Sequence, residues 1–570
     1  MKTTFNWRTF GRLYFFFFFF SGPYQLAIYL SGMSNTTGMR DAILMSSVWM
    51  VPVLLWPKHT KLLTALIGVL LWTTSIVSWS YFYVFGQDFS QSVLFIIFES
   101  NMAESNEFIE SYISPAIIAL LFAYAAMSYA LWRRLEPVYI PHRVHKYATV
   151  FIFSFIFSWP LINPLVVQSA NWDVSIKKMQ DRIEPAAPWN IIAGYFKYQK
   201  VLGNMQRQLA NNSQIAPLKE LQDTRGQQPS TMVIVMGEST NAQRMSLYGY
   251  QRPTSPLLDE MKDELYVFDN VISPRPYTIE ALQQILTFGD QQNPDDYLTR
   301  PTLMNMMQQA GYKSFWITNQ QTQTKRNTML LAFSQQTDEQ VYLNNNRLQN
   351  AGQFDEEVLE PFEQALSDPA EKKLIIVHLI GTHRKYEYRY PESFDHFTSR
   401  QGVPDWLPEK HLEEYNAYDN AVLYNDYVVS SLVKQLKAKV TSNSALVYFA
   451  DHGEEVFDTK DHLFTGRNEG KPTVAMYRVP FITWLSPALR AKKDLRPYLN
   501  RPYLNSDFIH SWTDLADISF SSYDPTKSLF NPDFIARKRL IGNPATPKKL
   551  VDFDTLIHTK STKTQLVANN

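Results

Sequence analysis

Acidic and imidazole side chains follow apolar runs at three places in the larger, carboxy-terminal part of this chain. Glu238 comes after "TMVIVMG", Asp451 and His452 come after "ALVYFA", and His378 and His383 bracket the end of "KLIIVHLI". Two carboxylates and an imidazole are a mixed oxygen and nitrogen ligand set that suits Zn²⁺ or Mn²⁺. Each residue alone would also fit a helix cap or a surface imidazole. Together they predict a metal site formed by Glu238, Asp451 and His452.

The apolar runs themselves predict the elements that position these residues. Continuous apolar segments over Met232–Met236, Leu374–Leu379 and Ala445–Ala450 are typical of parallel strands covered on both faces, and "YKSFWITNQQ" and "VPFITWLS" read the same way. Periodic segments such as "YDNAVLYNDYVVSSLVKQL" supply helices between them. We therefore predict an α/β fold with a doubly wound, mainly parallel sheet, which binds ligands at the carboxyl ends of its strands.

Five apolar stretches precede this region and predict a transmembrane domain. They are Leu13–Leu30, Ala42–Trp56, Leu62–Phe85, Tyr112–Trp132 and Tyr147–Val167. The first stretch lacks a small-residue cleavage pattern, so we interpret it as a retained anchor, with the run Phe15–Phe20 facing lipid. The predicted domains are 1–167, five membrane helices; 168–228, a linker; and 229–570, a catalytic domain. Within the linker, "PWNIIAGYFKYQKVLGNMQRQL" fits either a helix at the headgroup level or an ordinary packing helix.

Basic residues are concentrated on one set of loops between the stretches, and such loops are retained in the cytoplasm. Arg40 alone occupies the opposite set, whereas the basic set holds Lys2, Arg8, Arg12, Lys58, Lys61, Arg133, Arg134, Arg143 and Lys146. Five spans then place the amino terminus inside and the catalytic domain outside.

Composition excludes several other functions. Lys and Arg together number 54, as do Asp and Glu, so the charge balance offers no reason to expect nucleic acid as a partner. The sequence contains no cysteine, which excludes disulfides and thiolate metal sites and leaves topology as the guide to the compartment.

Several segments, in chain order, resemble the lipid A and lipopolysaccharide-core phosphoethanolamine transferases of Gram-negative inner membranes, which belong to the alkaline phosphatase superfamily. The segments are "MGESTNAQRMSLYGY", "VHLIGTH", "YDNAVLYNDYVV", "FADHGEE" and "VPFITWLS". The cysteine-free domain and "ISPRPYTIEALQQIL" are similar to the subgroup associated with the lipopolysaccharide core. The resemblance implies transfer of phosphoethanolamine from phosphatidylethanolamine to a core phosphate, with heptose phosphate as the expected acceptor.

The resemblance also implies roles for individual residues. Glu238, Asp451 and His452 match the metal ligands, and Thr278 matches a threonine that is both ligand and nucleophile, with Thr240 as the competing placement. Ala281 and Gln283 replace a Ser and a Pro of the family pattern, and Arg275 and Pro276 replace a Thr-rich approach. His383 and His462 match positions beside the transferred phosphoryl group, and His378 is counted with them as substrate-binding. Zinc is the implied metal, with manganese as an alternative.

The loop "FESNMAESNEFIESY" resembles a segment implied to bind the donor head group. It carries Asn101, Glu104 and Glu107 and contains no Lys or Arg, so it could pair with the donor's ammonium group. These acids could equally do no more than solvate an external loop. Two rival functions remain: a phosphoethanolamine or phosphoglycerol transferase acting on lipid A, a periplasmic glucan or another envelope glycan, and a non-catalytic scaffold. The intact Glu238, Thr278, Asp451 and His452 argue against the scaffold.

Overall fold

The structure is a computed structural model that describes residues 5–31, 36–85, 115–168, 172–196, 199, 203, 215–320, 328–344, 354–440, 442–460, 463–544 and 547–557. These residues fall into two compact units, one ending and the other beginning near position 202. Asn101, Glu104 and Glu107 of the predicted donor loop, and His462, lie outside the described residues.

The amino-terminal unit is helical. Its helices are α1 (Trp7–Phe18), α2 (Gly22–Leu30), α3 (Thr36–Ser46), α4 (Met50–Leu55), α5 (Thr60–Phe85), α6 (Pro115–Arg133), α7 (Arg143–Ile162) and α8 (Trp172–Ile183). By length and composition, four segments could cross a membrane: Thr36–Leu55, Pro57–Tyr83, Pro115–Arg133 and Arg143–Val167. A fifth span is possible if α1 and α2, which are bent by 58°, act as one. The predicted first span is therefore interrupted, just before Pro23, whose missing N–H favours a helix start there.

The phenylalanine run does not face lipid as expected. Phe16, Phe17, Phe19 and Phe20 are buried in one hydrophobic cluster with residues of α4 and α5, and only Phe15 is largely exposed. The ring of Phe19 stacks on that of Tyr124 of α6 at 5.3 Å. The expectation was wrong because a run of six aromatic residues covers every side of a helix, so most of the rings contact neighbouring helices.

The segment after α8 packs against helices of its own unit. Trp189 stacks on Trp49 with ring centroids 5.6 Å apart, and Asn190 donates a 2.6 Å hydrogen bond to Ser78 Oγ on α5. Tyr195 and Phe196 remain exposed. The packing interpretation therefore describes the start of this segment, whereas the exposure of Tyr195 and Phe196 leaves the headgroup interpretation open for its end.

The carboxy-terminal unit is built around a sheet of seven strands. They are β1 (Ser230–Gly237), β2 (Leu265–Val267), β3 (Lys313–Thr318), β4 (Glu339–Tyr342), β5 (Lys372–His378), β6 (Asn443–Ala450) and β7 (Phe481–Leu485). Their order across the sheet is β2-β7-β6-β1-β5-β3-β4. β1 is parallel to β5 and β6, and β3 is parallel to β4 and β5. Every residue of β1, β5 and β6 is buried, which explains their continuous apolar sequences.

Strand β7 departs from the predicted parallel arrangement, because it runs antiparallel to both β6 and β2. A parallel neighbour needs a crossover that returns the chain to the opposite edge. The segment between Ala450 and Phe481 instead stays at the edge where β6 ends and forms a two-stranded hairpin and one short helix. A run of buried apolar residues is the same in either direction, so the sequence could not distinguish the two.

Helices and short strand pairs surround the sheet. The helices are α9 (Pro256–Glu260), α10 (Thr278–Ile285), α11 (Leu303–Gln309), α12 (Thr328–Ser334), α13 (Leu359–Leu366), α14 (Leu412–Lys439), α15 (Val474–Tyr477), α16 (Pro487–Arg490) and α17 (Phe508–Leu515). The pairs are Gln222–Asp223 with Ile518–Ser519, Val271–Ile272 with Tyr503–Leu504, Glu455–Val456 with Thr465–Gly466, and Leu540–Ile541 with Val551–Asp552. One hydrophobic cluster joins α13 and α14 to β1, β5 and β6.

The acidic residues of α14 have structural contacts. Asp419 forms ion pairs of 2.7 Å with Arg244 and 2.8 Å with Arg252, and all three side chains are buried. Asp426 accepts hydrogen bonds from the backbone N–H groups of Leu257 and Leu258 in the first turn of α9. These contacts tie α14 to the segment that follows β1 and therefore help to fix the loop that carries Glu238.

Candidate active site

The three predicted metal ligands meet at the carboxyl ends of β1 and β6. Gly237 at the end of β1 is opposite Ala450 at the end of β6, so the residues that follow them are adjacent. Glu238 Oε1 lies 3.2 Å and Asp451 Oδ2 lies 3.4 Å from His452 Nε2, and all three side chains are buried. One ligand atom from each residue falls within a 4.8 Å cluster. The arrangement can therefore present two carboxylates and one imidazole to a single cation.

A sharp turn after Glu238 gives the site its shape. Ser239 has a positive φ of 59°, its N–H donates to Asp451 Oδ1 at 3.2 Å, and its hydroxyl donates to Glu238 Oε1 at 2.8 Å. From α14, the Tyr418 hydroxyl donates to Ser239 O at 2.8 Å and accepts from the Asn241 N–H at 2.9 Å. A non-glycine residue in the left-handed region is held there by its surroundings, as is common at functional sites.

The loop after β5 supports Glu238 from the other side. The Thr382 N–H donates to Glu238 O at 3.0 Å. The buried Asp355 carboxylate accepts from the N–H groups of Ile380 and Gly381 at 2.9 and 2.8 Å. Gly381 has a φ of +53°, and a Cβ there would lie 2.7 Å from Glu238 N. Only glycine allows this close approach of the two backbones.

We expect Gly381→Ala to destabilise the fold by about 3 kcal/mol, because it combines left-handed strain with a backbone clash. Gly226→Ala is the matched control, since Gly226 has a φ of +62° with open space around its Cβ position and should cost only about 1 kcal/mol. Thermal unfolding of the detergent-solubilised full chain compares the two. Equal losses of stability would show that the approach to Glu238 tolerates a methyl group.

Thr278, the first residue of α10, points its hydroxyl at the candidate metal ligands. The hydroxyl donates to Glu238 Oε2 at 2.9 Å and lies 3.4 Å from His452 Nε2. Thr240, the competing placement, is fully buried, and its hydroxyl lies 3.3 Å from the backbone oxygen of Glu238 and 3.4 Å from Thr382 Oγ1. The geometry therefore favours Thr278 as the hydroxyl that could react.

The segment before Thr278, where the sequence departs from the family pattern, is firmly anchored. Arg275 is buried and forms a 2.6 Å ion pair with Glu469. The Ser273 hydroxyl donates to the backbone oxygens of Arg275 and Asp451. The Arg-Pro sequence thus replaces the family residues with an ion pair that holds the start of α10 beside Asp451.

His378 and His383 flank the ligand cluster without joining it. His378 is buried, and neither of its ring nitrogens has a hydrogen-bond partner among the described residues. Its ring packs edge-on against Trp316 at 6.1 Å. Burial lowers the pKa of His378 to about 4 and the pKa of the partly exposed His383 to about 3, against the opposing charge of Glu238. Both rings are therefore neutral near pH 7.

The ligand residues differ in their preferred charge. Burial and the neighbouring Glu238 raise the pKa of Asp451 to about 8. Burial would also raise the pKa of Glu238, but its basic neighbours, first His452 and then His383 and Arg467, lower it well below its usual value. Asp451 Oδ2 is buried and has no hydrogen bond among the described residues. A buried carboxylate oxygen of this kind calls for a cation, so the donor set fits a metal ion.

The tautomer of His452 suits metal binding. Its Nδ1 lies 2.9 Å from the backbone oxygen of Gly453, so Nδ1 carries the proton. Nε2 is then left with a lone pair that faces Glu238 and Thr278. A carbonyl contact on the far nitrogen is the usual way in which proteins orient a metal-binding histidine.

Two further residues at the site were missed by the sequence analysis. Arg467 Nη1 lies 2.8 Å from His452 Nε2 and 3.5 Å from Glu238 Oε1. Gln320 Nε2 lies 3.4 Å from Glu238 Oε2 and donates to Leu379 O at 3.0 Å. Gln320 follows β3, so the strand-end rule that located Glu238 could have found it. Arg467 lies in the irregular segment "TGRNEG", where no periodic signal identifies it.

Comparisons with known proteins identify the family of the chain. The family model described as Sulfatase matches residues 230–518. Phosphoethanolamine transferase EptC of Escherichia coli strain K12 is 48% identical over 562 residues, 97% of each chain. Phosphoethanolamine transferase CptA of Salmonella typhimurium strain LT2 is 48% identical over 561 residues, with the same coverage.

Two solved structures extend the comparison. A crystal structure of the C-terminal periplasmic domain of EcEptC from Escherichia coli, in complex with Zn, is 54% identical, with a TM-score of 0.59, and the match covers 60% of this chain and 97% of that one. The integral membrane lipooligosaccharide phosphoethanolamine transferase A of Neisseria meningitidis shares the fold, with a TM-score of 0.63, 20% identity, and coverage of 91% of this chain and 98% of that one. The chain belongs to the EptC and CptA family of phosphoethanolamine transferases, within the alkaline phosphatase superfamily.

Proposed function

We propose that the protein transfers phosphoethanolamine from phosphatidylethanolamine to a phosphate of the lipopolysaccharide core, with a heptose phosphate as acceptor. The observation that carries this proposal is the contact of the Thr278 hydroxyl with Glu238 Oε2 at 2.9 Å and with His452 Nε2 at 3.4 Å. A phosphodiester is anionic and resists attack, so its transfer needs an activated oxygen beside concentrated positive charge. Membership of the phosphoethanolamine transferase family identifies phosphoethanolamine as the group that is transferred.

Zinc is the metal we propose, with manganese as an alternative. Glu238, Asp451 and His452 would hold it, and the Thr278 hydroxyl would complete a four-coordinate site of the kind that zinc prefers. The zinc complex of the EcEptC domain supports this choice. When bound, the ion neutralises the two buried carboxylates, favours the alkoxide form of the hydroxyl and stabilises charge on phosphoryl oxygens.

Two displacements by oxygen account for the transfer. In the first, Thr278 Oγ1 forms a bond to the phosphorus of phosphatidylethanolamine, the bond from phosphorus to the glycerol oxygen breaks, and diacylglycerol leaves with a proton. In the second, an oxygen of the acceptor phosphate attacks the phosphorus of the phosphoethanolamine on Thr278, the bond from phosphorus to Thr278 Oγ1 breaks, and the proton that the acceptor gives up returns to Thr278 Oγ1. The chain's task in both steps is to hold the oxygens in line with phosphorus.

We propose that His383 and His462 contact the transferred phosphoryl group and that one of them donates the proton to the oxygen of the leaving diacylglycerol. His383 is neutral beside the ligands, so it can donate a hydrogen bond without repelling the metal. Phosphoryl oxygens beside the ring would favour its protonated form, which is the state that a general acid requires. We also keep His378 as a substrate-binding residue, and Asn101, Glu104 and Glu107 as the site for the donor's ammonium group.

We further propose that residues 1–167 anchor the enzyme in the lipid of the inner membrane of a Gram-negative bacterium and that residues 229–570 face the periplasm, joined by 168–228. The long apolar helices and the distribution of Lys and Arg support this orientation. Both substrates carry lipid chains, and a membrane anchor confines the enzyme to the surface where they are found.

Mass spectrometry of lipopolysaccharide tests the acceptor. Cells that express the protein should show one added phosphoethanolamine on the core oligosaccharide, and cells that express Thr278→Ala should not. A phosphoethanolamine increment on lipid A or on a periplasmic glucan would contradict the core acceptor but would still support phosphoethanolamine transferase activity. A phosphoglycerol increment would contradict the donor.

A further inference from the structure

Arg467 reaches the same atoms that the metal would use. It follows the short strand Thr465–Gly466, and its side chain is 19% exposed. Its Nη1 lies 2.8 Å from His452 Nε2 and 3.5 Å from Glu238 Oε1. The cation therefore contacts two of the three acidic and histidine candidate ligands.

The hydrogen bond between Arg467 Nη1 and His452 Nε2 can have only one donor. A guanidinium group donates hydrogen bonds and cannot accept them, so Arg467 must donate to the lone pair of His452 Nε2. The contact of His452 Nδ1 with Gly453 O places the imidazole proton on Nδ1 and leaves the lone pair on Nε2, which agrees with this direction. A metal ion needs the same lone pair. A lone pair serves one partner at a time, so Arg467 and a metal cannot both contact Nε2.

We propose that Arg467 competes with the metal for His452 Nε2 and so sets the metal affinity, and that the displaced guanidinium binds oxygens of the phosphoryl group. The second part rests on the proposed function. Arg467 is then both a regulator of metal loading and a catalytic residue that contacts the substrate.

The surroundings of Arg467 keep it at the site after displacement. Glu454 is fully buried, and its Oε1 accepts from the Tyr386 hydroxyl at 2.9 Å, while its Oε2 has no hydrogen-bond partner in the described part of the chain. Burial would lower the pKa of Arg467, but the charges of Glu454, Glu238 and Asp451 raise it above its usual value. A guanidinium that leaves His452 therefore remains attracted to a carboxylate beside the ligands.

The nucleophile lies against the same two residues. Thr278 Oγ1 and Arg467 Nη1 each contact Glu238 and His452, so an atom bonded to Thr278 Oγ1 would lie close to the guanidinium. Guanidinium groups bind phosphate oxygens through paired hydrogen bonds, which a planar donor fork matches well. The position of Arg467 thus suits the charge that develops on the transferred group.

Zinc competition with a chelator, in the full chain, tests the first part without turnover. Arg467→Gln should bind zinc at least about tenfold more tightly than the original chain, because a charge-assisted hydrogen bond no longer competes and a repelling charge is gone. Arg467→Lys should be intermediate. Arg501→Gln is the matched control, since Arg501 donates to the backbone oxygens of Leu529 and Asn531 and lies over the rings of Tyr498 and Phe534, none of which belongs to the ligand cluster. Unchanged or weaker zinc binding in Arg467→Gln would overturn the competition.

Adduct formation at saturating zinc tests the second part. Arg467→Gln should form the phosphoethanolamine adduct at least about 100-fold more slowly than the original chain, with partial recovery in Arg467→Lys. An unchanged rate in Arg467→Gln would overturn the phosphoryl contact. If the original chain itself forms no adduct, the proposed two-step function fails instead, and the zinc measurement still decides the competition.

Discussion

Thr278→Ala should abolish both the covalent adduct and phosphoethanolamine transfer, with a loss of about 10³-fold or more. Removing a nucleophile that acts together with its activating groups eliminates nearly the whole contribution of the set. The neighbouring hydroxyls are not placed to substitute, because among the described contacts neither reaches His452. That of Thr240 contacts the Glu238 backbone and Thr382, and that of Ser239 donates to Glu238 Oε1. Intact-mass measurement after incubation with phosphatidylethanolamine detects the adduct, and peptide mapping locates it.

Two variants control this result. Thr278→Ser keeps the hydroxyl and should keep an adduct at the same position. Thr240→Ala should retain the adduct on Thr278 and lose only the local stability that its hydroxyl supplies, about 1 kcal/mol. An adduct that persists in Thr278→Ala and maps to Thr240 or Ser239 would show that the nucleophile lies in the turn after β1. The assignment of Glu238, Asp451 and His452 as metal ligands would be unaffected by that outcome.

The sequence could predict the ligand cluster because strand ends carry positional information. Glu238 and Asp451 follow apolar runs that become neighbouring parallel strands, so their proximity follows from topology. The same logic predicted the sheet around β1, β5 and β6. It failed for β7 because strand direction depends on the path of the connection, which a buried apolar run does not encode.

Contacts made by long side chains from irregular segments could not be predicted. Arg467 reaches His452 from the position just after a hairpin strand, and Arg275 pairs with Glu469 across almost two hundred positions. These contacts depend on how loops close over the sheet, and loops have neither a period of two nor a period of 3.6. The phenylalanine run failed for a related reason, since composition identifies an apolar helix but not which of its faces contacts other helices.

Asp451→Ala and His452→Ala should each lower bound zinc and transfer together. Each change removes one of the four proposed protein ligands, and we expect zinc affinity to fall by more than about 100-fold. Asp451→Asn is the sharper variant, because it keeps the size of the side chain and the acceptor for the Ser239 N–H while removing the charge. Metal content of the purified full chain, measured with transfer in the same preparation, reports both effects.

His383→Ala separates a ligand from a residue that acts on the phosphoryl group. His383 flanks the cluster of Glu238, Asp451 and His452 without belonging to that cluster, so the zinc content of His383→Ala should stay at the level of the original chain. Transfer should slow by about 100-fold, which is the usual loss when a proton-transfer group is removed. If His383→Ala lost zinc while Asp451→Ala and His452→Ala retained it, the ion would be bound through the loop after β5. Since both β5 and β6 end beside β1, metal content of the three variants decides which of the two strand ends completes the site.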